Sequence, residues 1–215
     1  MTMKNPWEEI GLDDYENHMK LDSVQQLQTL NSMMKAQFDK YPVTTAMVLG
    51  VAGGNGLEHI DCGKYSTVYG VDINEKYLET VASRFAGMAD SGVLKLLKMD
   101  LVSEPDKLPQ AELLIANLLI EYIGYDAFTK VVSAVKPRYV SCVIQINEDV
   151  CNWVSDSPYI HSFDKLEEVH HQMDEIELAE VMELGGYSLR LRLKEHLPNG
   201  KALVRMDFEN DDALR

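Results

Sequence analysis

Five short apolar runs constrain this chain most: residues 45–51 (TAMVLGV), 67–71 (TVYGV), 93–99 (VLKLLKM), 111–116 (AELLIA) and 139–146 (YVSCVIQI). The first of these is continuously apolar, and short apolar strands separated by helices imply a parallel sheet covered on both faces. The intervening segments read as helices. Asn74 stands as an N-cap before Leu78, Val81, Ala82 and Phe85 at helical spacing. Phe128, Val131, Val132 and Val135 mark a further helix between the fourth and fifth runs. Parallel neighbours joined by helices require right-handed crossovers, which put helices on both faces of the sheet.

The two ends of the chain have a different character. Residues 187–194 (YSLRLRLK) alternate apolar and polar, 201–209 (KALVRMDFE) read as a second strand, and Asn199-Gly200 between them marks a hairpin turn. A helix over about 174–184 precedes the hairpin. Near the N-terminus, Ser23 and Gln26 have the spacing of a capping box. Val24, Leu27, Leu30, Met34 and Phe38 then recur at helical spacing until Pro42 stops the helix. The expected fold class is α/β: a Rossmann-like, doubly wound sheet of seven strands, five of them parallel, plus a C-terminal antiparallel hairpin. A helical extension over 1–41 precedes the main domain over 42–215, the whole forming one compact unit.

Composition narrows the partners. No run of 18 apolar residues exists, and the first twenty residues are polar and acidic without the apolar core of a secretion signal, so no membrane partner is expected. Cys62, Cys142 and Cys151 form no CxxC pair; this favours a reducing cytoplasm, half-buried Cys62 and Cys142, and no metal site. The net charge of −15 repels polyanions, so nucleic acid is disfavoured as a partner. No self-complementary motif stands out, and the sequence sets no oligomeric state.

The function-bearing stretch is 48–56, VLGVAGGNG, with four glycines in the seven positions from Gly50 to Gly56, directly after the first strand. Glycine tolerates positive φ and lets a ligand approach the backbone. Sheets of this kind bind ligands at the carboxyl ends of their strands, and a helix starting over 55–62 would present free N–H groups there. Asp72, at the end of the second strand, can accept both hydroxyl hydrogens of a ribose. A nicotinamide-dependent oxidoreductase would want a third glycine at position 59, where His59 stands.

At these positions the chain resembles the class I S-adenosylmethionine-dependent methyltransferases. VLGVAGGNG is similar to their first motif, Asp72 in YGVDIN to their ribose-binding acid, and Asp100-Leu101 in KMDL to the pair flanking adenine. Asn117 in LLIANLL is similar to the motif beside the methionine part of the cofactor, and the terminal hairpin to the family's last two strands. The resemblance implies S-adenosylmethionine as cofactor, with contacts from Gly50, Ala52, Gly54, Gly56, Asp72, Ile73, Asp100, Leu101 and Asn117. It also implies that the final strand is inserted antiparallel between strands five and six. Two positions depart from the family's habit: Gly50 replaces a common acid, and Ala52 a usual glycine. With the acid missing, Asn117, Tyr15 or His18 would have to hold the cofactor's amino group. The alternative left by this departure is a methyltransferase-like protein that binds cofactor without turnover.

Glu121 and Tyr122 follow the fourth strand and are the catalytic candidates facing the transferred methyl, Glu121 as a general base. Asn117 is followed by Leu-Leu rather than the Pro-Pro-aromatic sequence of many nucleobase and protein-amide N-methyltransferases, which favours a small-molecule acceptor. By the same resemblance, Tyr15 and His18 belong to a lid, and Trp153, Tyr159, His161 and Phe163 of the 150–163 connection line a substrate pocket. His170-His171 read as a solvated helical face.

Overall fold

The computed structural model describes residues 5–148 and 154–211. Seven strands form one sheet: β1 (Thr45–Leu49), β2 (Thr67–Asp72), β3 (Leu94–Lys98), β4 (Leu113–Asn117), β5 (Tyr139–Asn147), β6 (Tyr187–His196) and β7 (Lys201–Asn210). Their order is β3-β2-β1-β4-β5-β7-β6, with β1 to β5 parallel and β7 antiparallel between β5 and β6. The inserted final strand is therefore as the resemblance implied. The helices are α1 (Leu12–Met19), α2 (Gln26–Lys40), α3 (Glu75–Arg84), α4 (Ala86–Asp90), α5 (Ile120–Val135) and α6 (Glu175–Leu184).

The runs of the central strands β1 and β4 are apolar because both sheet faces are covered there. Met47 and Leu49 of β1, with Leu114 and Ala116 of β4, pack into a core that includes Phe128, Val131 and Val135 of α5 and Leu178 of α6. The intervening Ala46, Val48, Leu113 and Ile115 face the opposite way, against Met34 and Phe38 of α2 and Leu78 and Val81 of α3. One strand thus feeds two cores, and period-2 alternation between apolar and polar disappears. Asn74 caps α3 as expected, its Oδ1 accepting from the backbone N–H of Lys76 at 3.0 Å.

Four expectations are corrected. The helix expected over 55–62 is a single 3-10 turn at Leu57–His59; the chain leaves it at Ile60, which turns into the core. The capping box at Ser23 does not form: α2 starts at Gln26, and its flanking residue Gln25 has a left-handed backbone, φ 53°. Strand β6 has little of the buried face its alternation implied, because it is the sheet's outer edge; Leu189 and Leu193 are exposed. Its charges meet α6 and β7 instead, through Arg192–Glu175 and Arg190–Glu209 pairs, and charge on an edge strand discourages further pairing. Neither cysteine is half-buried: Cys62 is exposed and Cys142 fully buried, while Cys151 lies outside the described residues.

Helix α5 is broken after its first turn. Gly124 has φ 73° and ψ 167°, a conformation open essentially to glycine alone. The short turn carrying Glu121 and Tyr122 is thereby set apart from the main helix and held over the ends of β4 and β5.

Candidate functional site

Two cavities adjoin at the carboxyl ends of the strands. The first has about 670 Å³ of open space, within the range of small-molecule sites. Of the expected cofactor contacts, Gly50, Ala52, Asp72, Ile73, Asp100, Leu101 and Asn117 line it; Gly54 and Gly56 do not. The reason those two positions are glycine lies within the protein. Both have positive φ, and a Cβ would come 2.6 Å from the Phe85 ring at Gly54 and 2.8 Å from Met34 at Gly56. Gly50, with φ 67°, is the glycine of the turn that borders the cavity.

Asp72 is 7% exposed; one carboxylate oxygen accepts from the Ala52 N–H at 2.9 Å and the other from the Asn74 N–H at 2.8 Å. Burial pushes its carboxyl above the ordinary value, opposed by the N–H groups of Asn74, Ala52 and Ile73. Ala52 pays for its place with a left-handed backbone, φ 45°. Asp100 closes its own turn, accepting from Val102 N–H at 3.0 Å and Ser103 Oγ at 2.7 Å. Asn117 is fixed by a reciprocal amide pair with Gln37 of α2, both bonds 2.9 Å, and Gln37 also donates to Ser141 Oγ at 2.9 Å.

The N-terminal segment roofs this cavity. Trp7 stands two residues after Asn5, whose Oδ1 accepts from its N–H at 3.1 Å, and the Trp7 carbonyl accepts from Asn74 Nδ2 at 2.9 Å. Tyr77 OH donates to the Ile10 carbonyl at 3.0 Å. Arg84 donates to the Gly53 carbonyl at 2.8 Å and pairs with Glu16 of α1, so the segment is latched to the glycine turn.

The second cavity, with about 570 Å³ of open space, lies on the far side of Trp7, Tyr15, Leu118 and Tyr122, which line both. Its polar lining is Glu121, His18, Gln26, Gln145, Ser155, His170 and Lys201. Glu121 is 4% exposed; its Oε1 accepts from the Gln145 N–H at 2.8 Å, and its buried Oε2 has no hydrogen-bond partner among the described residues. Burial pushes this carboxyl up to about 7. His18, bonded through Nδ1 to Ser157 Oγ at 2.8 Å, is lowered to about 4 by burial and then by Lys201. His170 is lowered to about 4 by burial, then by His171 and Lys201. Lys201 is itself lowered to about 8 by burial. Burial also raises the phenols of Tyr15 and Tyr122, so both stay protonated.

These shifts set a stability prediction. Glu121 titrates near 7 in the folded chain against 4.5 ordinarily, so its stabilising effect is full at low pH and is lost as pH rises through about 7. His18 and His170, near 4 against 6.5, act oppositely and lose their effect as pH falls. Urea unfolding of Glu121→Gln between about pH 5 and 7 is therefore expected to show stability rising more steeply with pH than in the wild type. Parallel curves would contradict the burial of an unpartnered carboxyl.

Several expected pocket residues fall elsewhere. Phe163 lines the second cavity, but His161 points to solvent beside Asp164. Tyr159 packs against the Ile10–Phe163–Leu166 cluster rather than lining either cavity, and Trp153 lies outside the described residues. His170 is not on a helix: it sits in the connection before α6, half-buried, its ring 5.9 Å from that of Tyr122. Sequence reasoning missed Trp7, Gln26, Gln37, Gln145 and Lys201. For Trp7 an aromatic in a polar leader was a usable signal; the glutamines offered none. Among the described residues no cluster of three metal-ligating side chains occurs, and no helix is long and apolar enough to cross a membrane.

No family model and no curated protein matches the sequence. Solved structures do match. The [4+2]-cyclase SpnF is 8% identical with a TM-score of 0.64, over 87% of this chain and 82% of its own. Magnesium protoporphyrin IX methyltransferase (ChlM) from Synechocystis PCC 6803, solved with bound SAM, is 10% identical with a TM-score of 0.59, covering 91% and 83%. The methyltransferase domain of bacterial CtHen1 is 20% identical with a TM-score of 0.61, covering 86% and 97%. The chain thus has the Rossmann-like fold of the class I methyltransferases.

Proposed function

We propose that this protein is an S-adenosylmethionine-dependent methyltransferase acting on a small molecule. The observation that carries the reading is the junction of two small-molecule-sized cavities at Trp7, Tyr15, Leu118 and Tyr122. The lining of the first cavity fits the cofactor. A buried carboxylate, Asp72, keeps acceptor capacity for a ribose diol, and Ile73, Leu101 and Leu119 supply apolar walls for a base. Asn117, fixed by Gln37, stands where the methionine end would reach. The bound cofactor supplies an activated methyl group; the protein supplies alignment of the acceptor with it. Glu121 takes the acceptor's proton, and Tyr122, held protonated, forms a wall and a hydrogen-bonding group. Trp7, Tyr15 and His18 close the site as a lid.

ChlM, solved with SAM and with SAH, supports the cofactor part of this reading. SpnF is named a cyclase on the same fold, so transfer is tested apart from binding. The first test is a thermal-shift titration with S-adenosylhomocysteine and with NAD. Saturation near 100 times the dissociation constant is expected to add about 2.7 kcal/mol with the former alone. A shift with NAD and none with S-adenosylhomocysteine would overturn the assignment. Transfer of a labelled methyl from S-adenosylmethionine to an acceptor panel then separates enzyme from silent binder.

A further inference from the structure

The second cavity has one feature that packing does not explain. Glu121 Oε2 is buried and unpartnered among the described residues, although Oε1 is well bonded. A buried carboxyl oxygen left in this state lacks a donor that a ligand N–H or O–H would provide. Aromatic rings line the same cavity. Trp7 and Tyr122 meet edge to face at 4.8 Å between centroids, Trp7 and Tyr15 at 5.7 Å, and Phe163 stands 4.9 Å from His18. A carboxylate in a cavity lined by aromatic rings is a setting for an organic cation, which gains from the ring quadrupoles as well as the charge. The chain's net charge of −15 draws cations toward it.

We propose that the acceptor is a primary or secondary amine, bound as its ammonium to Glu121 Oε2 between Trp7, Tyr15 and Tyr122. An alcohol or phenol would satisfy Oε2 but gain little from the rings, and a carboxylate would be repelled by Glu121. This deepens the methyltransferase reading and rests on it for the methyl donor. The step balances. An ammonium N–H gives its proton to Glu121 Oε2, and the freed nitrogen lone pair attacks the methyl carbon. The C–S bond breaks with its electron pair kept by sulfur, leaving an N-methylated ammonium and a neutral thioether. The proton on Glu121 leaves to solvent with the product.

The charged and titratable groups lining the cavity with Glu121 are Tyr15 and His18 of α1, Tyr122 on its own turn, His170 before α6, and Lys201 of β7; Tyr125 and Cys142 also interact electrostatically with it. The two histidines are neutral at pH 7, so Lys201 is the cation in this cavity's lining. Above about pH 8 Lys201 loses its proton and Glu121 is ionised, while an alkylamine remains charged. Amine affinity is therefore expected to be higher at about pH 9 than at pH 7.

The test is calorimetric titration at both pH values, with and without saturating S-adenosylhomocysteine. The probes are phenethylamine and butylamine against 2-phenylethanol and 1-butanol. The amines are expected to bind more tightly than the matched alcohols. Glu121→Gln, checked for an unchanged fold by its melting curve, is expected to weaken amine binding at least about tenfold and alcohol binding much less. Trp7→Leu is expected to weaken the amines more than the alcohols. Equal binding of amine and alcohol, no amine binding, or amine binding indifferent to Glu121→Gln would each overturn the proposal. Amine binding without any S-adenosylhomocysteine binding would keep this pocket assignment and sink the methyl-transfer reading.

Discussion

Replacing Asp207 by alanine is expected to lower the unfolding free energy by about 3–5 kcal/mol. Asp207 of β7 is fully buried and accepts from Arg205 Nε at 2.9 Å and Nη2 at 2.8 Å, from Tyr41 OH at 2.6 Å, from Lys40 Nζ at 2.9 Å and from Ser141 Oγ. Burial pushes its carboxyl up, but the bonds from Arg205, Ser141 and Tyr41 outweigh this and hold it below its ordinary value. The charge is thus present in the folded chain, and its contribution is lost only as pH falls below the ordinary aspartate range. Without it the Arg205 side chain, 3% exposed, is left as a buried cation without its counter-ion. Urea unfolding at neutral pH measures the loss; a change under about 1 kcal/mol would show that water replaces the carboxylate without strain. The effect reaches the site as well. Ser141 bonds both Asp207 and Gln37, and Gln37 holds Asn117, so this variant should also loosen the cofactor side of the cleft.

Asp72→Asn is expected to weaken S-adenosylhomocysteine binding by on the order of a hundredfold, since a ribose diol would give two bonds to a charged acceptor at about 1.5–3 kcal/mol each. Asparagine keeps the size of the side chain and one acceptor for the Ala52 and Asn74 N–H groups, so folding is affected less than by alanine. Isothermal titration of Asp72→Asn against the wild type decides it. Unchanged affinity would remove Asp72 from the binding site.

The positions of β1 to β5 were legible because strands covered on both faces leave a composition signature, clearest in β1 and β4 and interrupted by Lys95 and Lys98 in the edge strand β3; the order of the strands was not read from the runs. The hairpin was legible from Asn199-Gly200. The placement of Asp72 at a strand end followed from the same runs. What local sequence could not carry was chemistry set by partners far along the chain. Asn117 is oriented by Gln37, eighty residues earlier, and Trp7 is held by Asn74, sixty-seven residues later. The glycine turn shows how a correct position can have another cause: Gly54 and Gly56 are fixed by the ring of Phe85 and by Met34, which no pattern around 54–56 reveals. The expected helix after that turn failed because Leu57 and Ile60 are both drawn into the core, which ends the 3-10 turn after three residues. His170 read as solvated because the run before α6 is rich in glutamate; its neighbour Tyr122 comes from a different element.

The central claim is that cofactor and acceptor meet at the aromatic wall shared by the two cavities. A crystal structure with S-adenosylhomocysteine bound tests it most directly. The account predicts ribose hydroxyls on the Asp72 carboxylate, the base between Ile73 and Leu101 near Asp100, and the sulfur facing Tyr122 toward Glu121. A ligand seated elsewhere, or a sulfur turned away from the second cavity, would contradict it.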